Sequence, residues 1–211
     1  MTIRTPLAIA TAAVLLASSA ALGERIVTVD VSRSLGPLNR ELGGVTQGSA
    51  NPAVNQALAA VDIPHIRIDA WFDLGGVDCV NPPDFTALDA RVANVRAAGA
   101  EPLVIIDYMP ACMSRYTGPR FGGQPDPKRH PPADYAEWEA LVYATVRHLV
   151  RDLGVRWFEA WNEPDLPQFF QGTLVEYLEI FDAIERAVRR VEVEESTSLR
   201  LGGPAVAFPD P

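Results

Sequence analysis

The sequence predicts an α/β protein in which parallel strands are joined by helical crossovers, and three observations carry that reading. Short apolar runs of strand length alternate with longer segments of helical period from Glu41 to Val206. The apolar runs end in small or polar residues at one mouth, as at Asp69, Asp107 and Asn162-Glu163. No glycine-rich phosphate loop follows the first strand, which a doubly wound sheet would usually carry. The architecture left is the (β/α)8 TIM barrel, whose chemistry sits at the C-terminal strand ends.

The elements follow in order. Ile26 to Val31 alternates apolar and polar residues and reads as a leading strand outside the main repeat. Glu41 to Val45 is a glycine-bearing strand. Asn51 can then cap a helix with Pro52 at its first position and Val54, Leu58 and Val61 on one face. Ile63 to Asp69 is the next strand, and Arg67 inside it must expose its head or meet a carboxylate. Asp84 caps a helix carrying Phe85, Leu88, Val92 and Val95, closed by Gly99.

Leu103 to Tyr108 is a wholly apolar strand running into Asp107-Tyr108-Met109-Pro110. Residues 111–133 form a long loop of a kind that is either a functional lid or unstructured. Asp134 with Glu137 opens the clearest helix, with Trp138, Leu141, Val142, Val146, Leu149 and Leu153 on its core face and Gly154 at its end. Val155 to Trp161 is a buried strand. Thr173 with Glu176 starts another capped helix, with Leu174, Tyr177, Leu178, Phe181, Ile184, Val188 and Val191 expected inward, and Leu199 to Val206 is the last strand. By this count the barrel is truncated after its fifth strand, which leaves open edges that association with other strands would cover.

The chemistry concentrates where Val155–Trp161 ends. Pro164 cannot continue a ladder and favours extended geometry before it, so Asn162 and Glu163 stand at the strand's C-terminal mouth. Among the apolar walls of Trp157, Phe158 and Trp161, a carboxyl group is favoured in its protonated form, which makes Glu163 a candidate general acid. Glu159 shares the pleat side of Trp157 and Trp161 and reads as a buried structural acid. Asp69 and Asp107 read as substrate ligands or as partners for Arg67, and Tyr108, Trp157 and Trp161 as core or as stacking platforms for a substrate.

Composition bounds the rest. The 211 residues, 48% hydrophobic and 21% charged, suit one globular domain with a sizeable core. A formal net charge of −9 argues against a nucleic-acid surface. Residues 1–23 read as a secretory signal, with Arg4, an apolar stretch and a small-residue cleavage site; a membrane anchor is the competing reading. The expected location is secreted or periplasmic, with no membrane contact after cleavage. The segment 24–37 would then hold the leading strand, suited to an accessory β domain, and 38–211 the barrel. Cys79 and Cys112 fall in loops at one face and are either a disulfide or two free thiols. Neither they nor His65, His130 and His148 have metal-site spacing, and no cofactor is implied.

Trp157-Phe158-Glu159-Ala160-Trp161-Asn162-Glu163-Pro164-Asp165, followed by Phe169-Phe170-Gln171-Gly172-Thr173, Glu176-Tyr177 and Leu199-Arg200-Leu201-Gly202-Gly203-Pro204-Ala205, resembles glycoside hydrolase family 39. That family contains β-xylosidases and α-L-iduronidases and belongs to a clan of retaining glycosidases with eight-stranded barrels. The resemblance implies a glycoside substrate, with Glu163 as general acid/base and Asn162 as the residue that hydrogen-bonds the sugar hydroxyl next to the anomeric carbon. It places Arg67 near the catalytic carboxylates, and Asp69 falls where many members have His. The nucleophile of the family lies on the seventh strand, beyond the five counted here. Two other readings stay open: a non-catalytic carbohydrate-binding remnant, and a structural protein reusing half a barrel.

Overall fold

The computed structural model describes residues 43–46, 52–71, 83–116, 118 and 127–208. The signal segment, the leading strand Ile26–Val31, the capping Asn51 and Cys79 lie outside the described residues.

Five strands, β1 (Val45–Thr46), β2 (His65–Asp69), β3 (Glu101–Ile106), β4 (Trp157–Ala160) and β5 (Arg200–Gly202), form one sheet in sequence order. Each adjacent pair is parallel. Parallel neighbours need a crossover, and α1 (Pro52–Ala60), α2 (Thr86–Ala97), α3 (Tyr135–Arg151) and α4 (Leu174–Glu194) supply one between each strand and the next. The predicted strand–helix alternation is therefore present.

The sheet has two chemically distinct faces. Ile66, Ile68, Val104, Ile106, Phe158 and Ala160 are buried and join the apolar core with the helices. Truncating one fully buried core side chain such as Ile184 would cost about 3 kcal/mol. The alternate positions His65, Arg67, Leu103, Trp157 and Glu159 line a cavity of about 950 Å³ on the opposite face. Period-two alternation thus sends Arg67 and Glu159 to the same side.

Helix boundaries have local causes. Asp134 accepts hydrogen bonds from the N–H groups of Ala136 (2.7 Å) and Glu137 (3.2 Å), satisfying two donors at the start of α3. Thr173 and Glu176 form a reciprocal capping box at the start of α4. Gly99 and Gly154 end α2 and α3 regions at φ of 77° and 66°, where a β-carbon would be strained.

Several expectations need correction. The last strand, β5, is only Arg200–Gly202 and stops well short of Val206, and the N-cap of α2 is Phe85, not Asp84, with no side-chain cap hydrogen bond from it. Strand β3 starts two residues earlier than the apolar run, at Glu101, and ends at Ile106, so Asp107 and Tyr108 lie beyond its end. On α4, Leu174 and Leu178 are 72% and 50% exposed, while Tyr177, Ile180, Ile184, Ala187, Val188 and Val191 form the buried stripe. Of the three residues expected on one face of the first helix, Val54 and Val61 are exposed, Val61 lying just past the end of α1, and Leu58 packs against the core. In α4 the sequence permits neighbouring apolar faces, and packing selects one.

Candidate active site

The C-terminal ends of β2, β3 and β4 converge on the side chain of Asn162. Arg67 of β2 donates to Asn162 Oδ1 at 3.0 Å, and Asn162 Nδ2 donates to the Tyr108 hydroxyl at 2.8 Å. Arg67 can only donate, so the amide oxygen must face it and the amide nitrogen must face Tyr108. Arg67 also donates through Nε to Glu159 Oε1 at 3.1 Å, and through Nη2 to the same oxygen. Its Nη1 reaches Thr46 on β1 at 3.4 Å. One guanidinium therefore ties β1, β2 and β4 together at the sheet's C-terminal end.

The backbone turns sharply there. Trp161 and Glu163 have φ of 63° and 46°, left-handed values that non-glycine residues rarely adopt. This ends β4 and turns the chain away from the sheet, and two contacts hold the turn. Glu163 N–H donates to the Ala205 carbonyl at 2.8 Å, and both Asp165 carboxylate oxygens accept backbone N–H bonds, from Ala207 and Phe208, each at 3.0 Å. Those N–H bonds hold the Asp165 carboxyl below its ordinary range. On the β5 side Gly203, at φ 120°, leaves only 3.1 Å between a would-be β-carbon and the Ala160 carbonyl, so glycine permits this close approach.

Around this turn lie aromatic rings. Trp161 is fully buried, edge-on to Tyr108, Trp138 and Phe170, and its indole N–H donates to the Phe169 carbonyl at 3.2 Å. Its surface is spent on packing. Trp157 lies on the cavity side under the Arg200 guanidinium, 4.8 Å from the ring centre. Tyr108 is stacked on Phe169 at 6.0 Å. Burial raises the Tyr108 hydroxyl above its ordinary range; the charges of Asp107, Asp69 and Glu163 add to this, and the Asn162 bond opposes it.

Each predicted site residue other than Cys79 now has a place. Arg67, Asn162 and Tyr108 form one hydrogen-bonded chain. The Glu163 carboxylate is half-buried at the same mouth, with no hydrogen-bond partner among the described residues. Asp69 is half-buried at the end of β2. Asp107 is completely buried, and neither of its oxygens has a hydrogen-bond partner among the described residues. Burial, with Asp69 adding its negative charge, pushes the Asp107 carboxyl well above the ordinary range against the pull of Arg67. Cys112 is exposed and disulfide-bonded. Among the described residues no three His, Cys, Asp or Glu side chains come together to hold a metal ion.

Sequence reasoning missed Asp165 as an anchor, since nothing local links it to residues 207 and 208, forty-two and forty-three positions away. It also missed Phe169 as the support of Tyr108. The 950 Å³ cavity lies toward the N-terminal side of the mouth, and neither Asn162 nor Glu163 lines it.

The sequence profile of glycosyl hydrolases family 39 matches residues 46–210. This chain belongs to family 39. A β-xylosidase of Caldicellulosiruptor saccharolyticus is 31% identical over 156 residues, covering 68% of this chain and 31% of that protein. A β-xylosidase of Geobacillus stearothermophilus is 30% identical over 129 residues, covering 58% of this chain and 24% of that protein. The chain thus spans about a third or less of the curated relatives it matches. Among solved structures, a GH39 β-xylosidase from Caulobacter crescentus superposes with a TM-score of 0.65 at 27% identity, covering 82% of this chain and 42% of the other. The GH39 enzyme from Xanthomonas axonopodis pv. citri gives 0.60 at 25% identity, covering 77% and 35%. The five-stranded sheet of this family 39 chain accordingly corresponds to part of a TIM barrel, and Asn162 and Glu163 stand at the C-terminal end of its fourth strand.

Proposed function

We propose that the chain carries the acid/base half of a retaining glycosidase acting on β-xylosides, with Glu163 as the general acid/base. Family membership and the two β-xylosidase relatives support the substrate class. The observation that carries the role is the Glu163 carboxyl, without a hydrogen-bond partner among the described residues, beside an Asn162 amide held from both sides. An acid that must protonate a leaving oxygen and later deprotonate water needs to be free of fixed partners. Asn162, next to it, is placed to hold the sugar hydroxyl adjacent to the anomeric carbon.

A retaining mechanism needs a second, ionised carboxylate roughly 5–5.5 Å from the first. Asp107 is poorly suited, because it is buried and held toward its protonated form. Glu159 is engaged by Arg67. In line with the family resemblance, we assign the nucleophile to a strand outside the five described. Proton transfer then runs from Glu163 to the glycosidic oxygen as the nucleophile attacks, and from water back to Glu163 in the second step.

The reading is tested with the 211-residue chain and an aryl β-xyloside. No turnover is expected, together with calorimetrically detectable binding of a xylose-configured iminosugar that weakens in Glu163→Gln. Turnover by this chain, abolished in Glu163→Gln, would overturn the assignment of the nucleophile. Absence of sugar binding would overturn the reading as a whole.

A further inference from the structure

Resting on that reading, we propose that Tyr108 is a positioning residue: its hydroxyl fixes the plane of the Asn162 amide and so commits the site to sugars that carry a hydroxyl next to the anomeric carbon. A side-chain amide offers an acceptor oxygen and two N–H donors. The oxygen takes Arg67 at 3.0 Å and one N–H goes to Tyr108 at 2.8 Å. The second N–H is the group that remains for a ligand, and a donor recognises an acceptor oxygen.

Arg67 alone would not aim that donor. One contact at Oδ1 leaves the amide free to swing about that bond, whereas contacts on opposite ends define its plane. Tyr108 can serve as the second contact because its ring is packed on two sides. Its ring is 9% exposed, stacked on Phe169 with an interplanar angle of 8°, and met edge-on by Trp161 at 5.5 Å. Phe169 is in turn tied to Trp161, whose indole N–H donates to the Phe169 carbonyl. The chain after β4 therefore folds back to hold the ring, and the ring holds the amide that β4 presents. Tyr108→Phe removes the oxygen alone and keeps the packing.

Two measurements decide this. Without ligand, the Asn162 side-chain amide followed by ¹⁵N-edited NMR should show one slowly exchanging proton, and its exchange should quicken about tenfold in Tyr108→Phe. Unchanged exchange would overturn the proposal. With ligand, calorimetry should show a roughly five- to tenfold affinity loss in Tyr108→Phe for a xylose-configured iminosugar. The analogue lacking the hydroxyl next to the anomeric carbon should bind both proteins equally. Equal losses for both ligands would mean that Tyr108 acts on the mouth as a whole, and would overturn the proposal. If the wild-type chain binds neither ligand, the glycosidase reading fails and with it the commitment to a sugar, while the exchange measurement still decides whether Tyr108 holds Asn162.

Discussion

Arg67 on β2 and Glu159 on β4 form an ion pair that spans the intervening strand β3. Arg67 lies level with Leu103 of β3, and Leu103 lies level with Trp157, two residues before Glu159, so the guanidinium reaches diagonally over the Leu103–Ile105 face. The two side chains are 20% and 15% exposed, enough burial for an unpaired carboxylate to be costly. Arg67→Ala is expected to lower unfolding free energy by about 2 kcal/mol, between the values typical of exposed and fully buried pairs. Urea unfolding of Arg67→Ala, Glu159→Gln and the double variant should show a double-variant loss smaller than the sum of the singles; strict additivity would refute the coupling.

Asp107 gives the stability a pH dependence of opposite sign to most carboxylates. Its folded-state proton affinity is raised by burial, so its contribution is fully present below the unfolded value of about 4. That contribution is lost as pH rises through the higher folded value. Asp107→Asn, which keeps the shape and cannot ionise, should remove this loss. Thermal melts between pH 4 and 8 are expected to fall less steeply with pH for the variant; parallel curves would contradict a buried, protonated Asp107.

Glu176 acts in the usual sense. Arg115 and the Thr173 N–H hold its carboxyl down at about 2. With an unfolded value of about 4.3, its contribution is complete above that pH and is lost as pH falls toward 2. Thr173→Ala should cost about 1 kcal/mol at neutral pH by removing the cap. Glu176→Gln should flatten the acid limb of a stability-versus-pH curve, and an unaltered acid limb would rule out this role.

The mouth of the site depends on Asp165. Both its oxygens are committed to the N–H groups of Ala207 and Phe208, which secures the segment after β5 beside the Glu163 turn. Asp165→Ala should increase amide exchange and proteolysis in residues 203–208 while leaving the α3–α4 pair protected. Unchanged exchange at Ala207 and Phe208 would show that the segment is held by other contacts.

Much of this was legible in the sequence where the signal is local. Asp134, Thr173 and Glu176 announce helix starts within four residues, and the structure shows both helices capped there. The abrupt end of β4 at Asn162-Glu163-Pro164 was equally local, although the left-handed φ of Trp161 and Glu163 was not foreseen. The inward face of α4 was misread at Leu174 and Leu178 because apolar residues at 174, 177, 178 and 181 admit two adjacent stripes. Packing against α3 buries only one of them.

The sequence by itself determined the order and type of the elements, and hence that Asp69, Asp107 and Glu163 would gather at the same end of a parallel sheet. Strand period and crossover handedness suffice for that. Only the tertiary structure decided the partners: that Arg67 turns to Glu159 and Asn162, that Tyr108 receives the other end of the Asn162 amide, and that Asp107 receives no hydrogen bond from the described residues. Periodicity places a residue on a face. Which side chains meet there depends on register and reach across strands 54 to 95 residues apart in the chain, and no local pattern encodes these.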